Sequence, residues 1–175
     1  ILARDSKRLD EAARLYERGM KDCPSVQLVT SYAAMEKNRN RRTTAMRVYE
    51  EGLAIFPNNL KLCEDAGLLA VSLGDYKKAL DLLERGLALS RNSGQGNDRI
   101  FLLAIARVFA KPGSAADLKK SLEYYRLAEK AFETSRFGRS SFPKHDQLEM
   151  RLAEVRLQHY RGRLAYDFVQ RAGFQ

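Results

Sequence analysis

The amino-acid sequence predicts an all-α protein in which antiparallel helix hairpins stack into an α-solenoid, and three observations indicate this fold class. A short pattern ending in glycine recurs at Gly19, Gly52 and Gly86, so its copies lie 33 and 34 residues apart. A period in the low thirties is typical of stacked helical hairpins. Apolar residues recur at the helical period of about 3.6 residues rather than at the two-residue period of a strand. Small residues also repeat, with steps of 12 and then 7 positions.

The chain of 175 residues is long enough for one domain with a packed core, and 45% of its residues are hydrophobic. No apolar run approaches the roughly 18 residues that a membrane-spanning helix needs. We therefore expect one solenoid segment over 1–175, part of a longer chain, with no membrane partner and with a cytoplasmic or nuclear location.

The first predicted element is a half repeat over 1–24 that consists of one helix. Its apolar and small side chains fall on one face: Leu9, Ala12, Ala13, Tyr16 and Met20. Ala12 and Gly19 match the last two small residues of the later repeats, so we expect the second helix of a hairpin whose first helix is missing. The open face of this helix predicts a neighbouring repeat or subunit at the N-terminal end.

Two regular hairpins are predicted next, over 25–57 and 58–90. Both carry small residues with the same spacing: Ala33, Ala45 and Gly52 in the first, and Gly67, Ala79 and Gly86 in the second. Because two helices approach closely only where side chains are short, we expect these residues at the helix crossings. The turn signals Asn58-Asn59 and Gly74-Asp75 fall at the expected joints.

The last two hairpins are predicted over 98–135 and 146–173. Their small residues keep the pattern, with three extra positions in the first of them: Ala106, Ser121 and Ala128, then Ala153, Ala165 and Ala172. The stretch 100–109 is apolar nearly all round, which predicts a helix enclosed by its neighbours. Polar insertions at 90–97 and 134–146 fall between hairpins, where solenoids tolerate them.

These residues resemble a known family of helical repeats. The stretch 60–89 is similar to a tetratricopeptide repeat (TPR) through Gly67, Gly74, Asp75, Tyr76, Ala79, Leu83 and Gly86. The stretch 26–57 is similar to the related half-a-TPR (HAT) repeat through Tyr32, Glu36, Ala45, Arg47, Tyr49 and Pro57. Cys63 departs from the pattern, because an aromatic residue is usual there. The resemblance implies a right-handed superhelix whose concave wall is built from the first helix of each hairpin, and it implies binding rather than catalysis.

The concave positions of the family, carried over to this sequence, give a mixed lining of polar, charged and apolar side chains. Seven of them are candidate partner-binding residues: Gln27, Thr30, Lys37, Lys61, Glu64, Leu68 and Val71. Leu68 and Val71 suit apolar side chains of a partner, and a lysine suits an acidic one. The resemblance therefore implies a protein or peptide ligand of acidic or amphipathic character, while Glu36 and Arg47 are expected to bond within or between hairpins.

Basic residues exceed acidic ones, with 31 Lys and Arg against 22 Asp and Glu and a formal net charge of +9. The excess lies towards the two ends of the chain, where six residues form a candidate basic patch: Arg39, Arg41, Arg42, Arg136, Arg139 and Lys144. Arginine suits carboxylates and phosphates, so an acidic protein segment or an RNA backbone is the expected counterpart. A solvated polar face is the alternative interpretation of each cluster.

Catalysis has little support in the sequence. The two histidines, His145 and His159, lie 14 residues apart, and the two cysteines, Cys23 and Cys63, lie 40 apart on different hairpins. No phosphate-binding loop, dinucleotide turn or nucleophile elbow is present. We therefore predict no enzyme activity, no cofactor and no metal site, and we expect both cysteines to be structural thiols.

The leading hypothesis is a non-enzymatic scaffold that binds a partner polypeptide within a larger intracellular assembly. The alternative is a HAT-type subunit of an RNA-processing complex that contacts RNA through the basic patches. A third interpretation is a regulatory domain attached to an enzyme elsewhere in the parent chain.

Overall fold

The computed structural model describes residues 2–93, 98–111, 115–133 and 142–171, and every regular element in these ranges is an α-helix. The helices within these ranges are α1 (Leu2–Asp22), α2 (Val26–Asn38), α3 (Arg42–Ile55), α4 (Leu60–Leu73), α5 (Tyr76–Ser93), α6 (Asp98–Phe109), α7 (Ala115–Glu133) and α8 (Lys144–Arg171). Several helices that follow each other in sequence pack together, as α2 does on α3 and α6 on α7. The predicted all-α array of packed helices is confirmed.

The helices form two compact units, 1–89 and 90–175, with the boundary near the end of α5. In the N-terminal unit, α2 and α3 lie within the predicted repeat 25–57, and α4 and α5 occupy the next, with α5 ending at Ser93. In the C-terminal unit, α6 and α7 lie within the predicted repeat 98–135.

The turns between helices follow from residues that satisfy the helix ends. The Ser25 hydroxyl accepts a hydrogen bond from the Leu28 N–H at 3.2 Å and begins α2, and the Asn59 side chain accepts one from the Leu62 N–H at 3.0 Å and begins α4. Gly74 ends α4 with a φ of 79°, in the left-handed region that favours glycine. The predicted joints at Asn59 and Gly74 are confirmed.

Small residues lie where helices of the N-terminal unit approach closely. A Cβ added at Gly52 on α3 would lie 2.5 Å from Val29 Cγ1 on α2, and one added at Gly67 on α4 would lie 2.7 Å from Leu83 Cδ2 on α5. Ala33, Ala45 and Ala79 have no exposed surface. The predicted role of these short side chains at the helix crossings is confirmed.

The half repeat at the start of the chain packs on α2 through aromatic and polar contacts. The ring of Tyr16 on α1 stacks on that of Tyr32 on α2, with centroids 5.3 Å apart. The Tyr32 hydroxyl donates to Glu17 on α1 at 3.1 Å. One face of α1 is therefore attached to the first complete hairpin.

The core of the C-terminal unit lies between α6 and α7. Residues 101–106 are all buried, as the apolar character of α6 predicts. Ala106, Ser121 and Ala128 are also buried, and the Ser121 hydroxyl donates to the Ala106 carbonyl at 2.9 Å. The serine thus occupies a small-residue position because its hydroxyl is satisfied by the neighbouring helix.

The structure differs from the prediction at 146–173, where it has the single helix α8 instead of a hairpin. The reason is local, because the sequence of α8 contains no proline and its one glycine, Gly162, is not followed by a turn-forming residue. Ala153 packs with Leu118 and Leu122 of α7, whereas the side chains of Ala165 and Ala172 lie outside the described residues. Here the step of 12 from Ala153 to Ala165 falls within one continuous helix.

We expect Gly52→Ala to lower the free energy of unfolding by about 1–2 kcal/mol. Overpacking a core costs about 1–3 kcal/mol, and this outweighs the gain of up to about 1 kcal/mol from alanine in a helix. Urea denaturation followed by circular dichroism measures the change. Gly162→Ala is the matched control, because a Cβ there meets no atom within 4 Å. This control should raise the stability by about 0.5–1 kcal/mol, and equal effects at the two positions would contradict close packing at Gly52.

Candidate functional site

An open groove lies in the N-terminal unit beside α4, where the end of α2 and the start of α3 face it. It has a volume of about 330 Å³ and is lined by Lys37, Arg42, Asp65, Leu68, Leu69 and Ser72. We call it the α4 groove. It brings together residues from the first helices of two successive hairpins, as expected for the binding face of such an array.

The apolar part of the α4 groove comes from two leucines on α4. The side chain of Leu69 is buried, whereas Leu68 is 40% exposed and is available for contact. The Ser72 hydroxyl donates to the Leu69 carbonyl at 2.7 Å, so its hydrogen is used within the helix. The groove therefore offers one accessible aliphatic side chain and few free polar groups on α4.

The acidic residue of the groove is neutralised from within α4. Lys61 Nζ lies 3.0 Å from the Asp65 carboxylate and 3.9 Å from that of Glu64. The hydrogen bond that Lys61 donates to Asp65 raises the pKa of Lys61, which keeps the ammonium charged. Asp65 thus contributes little net negative charge to the groove.

The basic side of the groove is formed by Lys37 and Arg42, which are both exposed. Lys37 Nζ donates to the Tyr49 hydroxyl at 3.3 Å and lies 5.6 Å from the centroid of that ring. Burial raises the pKa of Tyr49, so its hydroxyl remains protonated and neutral. This bond uses one of the three donors of the ammonium. The net charge that the groove presents is therefore positive.

The structure brings together two of the seven predicted partner-binding residues, Lys37 and Leu68. The remaining five lie outside the lining of the groove: Gln27, Thr30, Lys61, Glu64 and Val71. The Thr30 hydroxyl donates to the Gln27 carbonyl at 3.0 Å, which uses its donor within α2. The prediction missed three lining residues: Asp65, Leu69 and Ser72. They form the next row along α4, at a spacing of 4 and then 3.

The structure describes four of the six residues of the candidate basic patch. Arg41 and Arg42 are exposed, but the side chain of Arg39 is only 8% exposed. Lys144 is exposed at the start of α8, in the other compact unit. Arg136 and Arg139 lie outside the described residues.

Arg39 connects α2 to α1, which corrects its prediction as a surface cation. Its guanidinium donates to Glu36 at 3.0 Å, to the Leu9 carbonyl at 3.4 Å, and to Asp10. Glu36 is almost fully buried, and its second carboxylate oxygen has no hydrogen-bond partner. Removing Arg39 would leave that charge buried and unpaired, so the arginine serves packing rather than an external ligand. Arg47 also bonds internally, to Glu51 at 2.6 Å.

Groups with catalytic or metal-binding chemistry are sparse in the described part of the chain, which contains no cluster of three His, Cys, Asp or Glu residues able to hold a metal ion. Cys63 is buried, and burial raises the pKa of its thiol, which favours the unreactive protonated form. Cys23 is exposed. None of the described helices is both long enough and apolar enough to cross a membrane.

Comparison with known proteins finds similarity among solved structures, but none to family models or to curated sequences. Among solved structures, the chain is similar to the crystal structure of MamA, with 13% sequence identity, a TM-score of 0.44, and coverage of 91% of this chain and 94% of that chain. A function for the α4 groove therefore rests on the groove's own residues.

The contact between Asp10 and Arg39 predicts a pH dependence of stability. The hydrogen bond from Arg39 lowers the pKa of Asp10 below its ordinary value of 3.8. A carboxylate with a lowered pKa stabilises the fold above its unfolded pKa, and this stabilisation is lost as the pH falls through the folded pKa. Asp10→Asn should therefore lower the thermal midpoint relative to wild type above pH 3.8. The difference should shrink at lower pH.

Thermal unfolding of both proteins between neutral and acid pH measures this difference. Asp22→Asn is the matched control, because Asp22 lies on the same helix and pairs with Arg18, four residues earlier. A difference between Asp10→Asn and wild type that is independent of pH would contradict the ionic role of Asp10.

Proposed function

We propose that the chain is a TPR/HAT-like, non-enzymatic scaffold that binds a partner polypeptide in the α4 groove. The observation that supports this most is the combination of one exposed leucine, Leu68, with two exposed cations, Lys37 and Arg42. Since Asp65 is paired with Lys61, the groove favours a ligand that is both apolar and acidic. A peptide segment can supply both properties within a few residues.

The partner segment would place an aliphatic or aromatic side chain on Leu68 and a carboxylate near Lys37 and Arg42. Lys37 is held on the ring of Tyr49, so its ammonium is ordered before binding, which lowers the entropy lost on association. Arg42 begins α3 and can bind a carboxylate through its planar fork. The apolar contact supplies affinity, and the two cations set orientation and partner choice.

The chemistry of the groove supports binding rather than catalysis. Its lining contains no histidine or cysteine. The one carboxylate accepts a hydrogen bond from a lysine, and the one hydroxyl donates to backbone, so neither is poised to move a proton to or from a substrate. A scaffold in an assembly of the cytoplasm or nucleus is the role that we favour.

A neighbour at the N-terminal end is part of this proposal. The helix α1 pairs with α2 on one side, while Leu15 remains 69% exposed. A further helical repeat or a subunit would cover this leucine, as neighbouring repeats do in such arrays.

The RNA-binding alternative has weaker support. Of its three arginines near the first hairpin, Arg39 is bonded to Glu36 and Asp10, and Arg41 lies 4.0 Å from Asp10. Of these three, Arg42 is exposed and has no ion pair among the described residues. One unpaired arginine of the three gives a small phosphate footprint on this hairpin, since sequence-independent binding to nucleic acid usually uses several phosphate contacts.

A peptide-display selection against the intact chain tests the proposed function. We expect the selected peptides to combine acidic residues with a large apolar residue. Leu68→Asp and Arg42→Glu should each weaken the binding of a selected peptide by about tenfold or more, because they remove the apolar contact and reverse one charge. Fluorescence anisotropy measures the affinities.

Leu127→Asp is the matched control, since Leu127 on α7 is 47% exposed, close to the value for Leu68. It should leave peptide affinity unchanged. The proposal would be overturned if no peptide were selected. It would also be overturned if the selected peptides bound Leu68→Asp and the wild type with equal affinity. Salt-sensitive binding of an RNA oligonucleotide that is lost in Arg42→Glu would instead favour the alternative.

A further inference from the structure

A second cleft lies in the C-terminal unit, beside the middle of α8 and facing the end of α6 and the first turns of α7. Its volume is about 580 Å³, larger than that of the α4 groove. Four basic side chains line it: Lys111, Arg156, His159 and Arg163. Leu118 and Val155 supply an apolar part. We call it the α8 cleft.

The α8 cleft is cationic because the nearby carboxylate of α8 points to another surface. No acidic residue is among the described residues that line it. Glu154, next to Val155 in sequence, lies 3.7 Å from Arg126 on α7 and lines a separate cleft. Arg156 donates to the Ala110 carbonyl at 3.3 Å, which fixes its position and leaves donors of its guanidinium for a ligand.

An apolar stripe on α8 continues from this cleft. Leu148, Leu152 and Val155 are 65%, 42% and 61% exposed. They follow each other at steps of 4 and 3, so they lie on one face of the helix. Val155 belongs to both the stripe and the cleft, which makes the two one continuous surface. Between Leu148 and Arg163 this surface extends over about 22 Å, at 1.5 Å per residue.

We propose that this surface of α8 binds an acidic amphipathic helix of a partner protein. The apolar face of such a helix presents side chains at steps of 3 and 4, which match the stripe formed by Leu148, Leu152 and Val155. Carboxylates at one end of the helix would meet Lys111, Arg156 and Arg163 in the cleft. The site is independent of the α4 groove, because it lies in the other compact unit and shares no residue with the groove.

Two other occupants fit the surface less well. RNA binding relies on phosphate contacts and on stacking of bases. The described lining of the cleft includes the rings of His159 and Tyr160, but the stripe that continues from it is aliphatic and gives no stacking platform along α8. A second copy of the chain would bring like charges together, because the same face of α8 is flanked along its length by the exposed cations Lys144, Arg151, Arg156 and Arg163.

Synthetic helix-forming peptides of about 16 residues, long enough to cover the surface, provide the probe. Two peptides test the two orientations of a bound helix. Both carry leucines at steps of 4 and 3. A cluster of glutamates follows the leucines in one peptide and precedes them in the other. Fluorescence anisotropy with the full chain measures binding. One of the two should bind at least about tenfold more tightly than a scrambled peptide or one with lysine in place of glutamate.

Two sets of variants locate the binding site. Val155→Asp, and Lys111→Glu combined with Arg163→Glu, should each weaken peptide binding by about tenfold or more. These side chains are exposed, so circular dichroism should show unchanged helix content. The matched control for Val155→Asp is Leu127→Asp. The control for the charge reversal is Lys21→Glu combined with Lys77→Glu, which reverses two exposed charges elsewhere. Both controls should bind the peptide with the affinity of the wild type.

The outcomes separate this proposal from that for the α4 groove. Leu68→Asp should leave peptide affinity at the α8 cleft unchanged, and Val155→Asp should leave peptide affinity at the α4 groove unchanged. Equal affinity for the scrambled peptide would overturn the inference. So would a dimer, detected by sedimentation, that Val155→Asp dissociates, or an RNA oligonucleotide that binds while neither acidic peptide does.

Discussion

The close approach of paired helices at short side chains is the constraint on which the N-terminal unit depends. Val29 fills the space left by Gly52, and Leu83 fills the space left by Gly67. A larger residue at either glycine would separate the helices and change the surface beside them. Because α4 carries both Gly67 and the leucines of its groove, the packing on one side of this helix positions the residues exposed on the other.

Much of the fold was predictable because close packing of two helices requires small residues at regular positions in the sequence. Steps of 12 and 7 between small residues located the crossings of α2 with α3 and of α4 with α5. The same steps failed at α8, where no turn residues interrupt the helix and Ala153 packs against α7 from one continuous element. Small-residue spacing predicts helix contacts only where a turn signal also separates the two helices.

The candidate site was less predictable, because exposed side chains depend on helix rotation and on partners distant in sequence. The row of α4 that faces the groove is shifted by one residue from the predicted row. Asp65 and Ser72 therefore line the groove, where Glu64 and Val71 were predicted. Arg39 looked like its neighbours Arg41 and Arg42, yet it is bonded to Asp10, 29 residues earlier. The charges of the three arginines alone do not show which one is buried. The local signal is an acidic residue one turn earlier, as Glu36 is for Arg39.

The central claim is that steric fit at Gly52 and Gly67, rather than helix propensity, holds together the two hairpins of the N-terminal unit. A double-mutant cycle between Gly67 and Leu83 measures that fit most directly, using Gly67→Ala, Leu83→Ala and the double variant in urea unfolding. In the double variant the new methyl group occupies space vacated by the leucine. The account predicts a favourable coupling free energy of about 1 kcal/mol or more, whereas additivity within about 0.5 kcal/mol would contradict it.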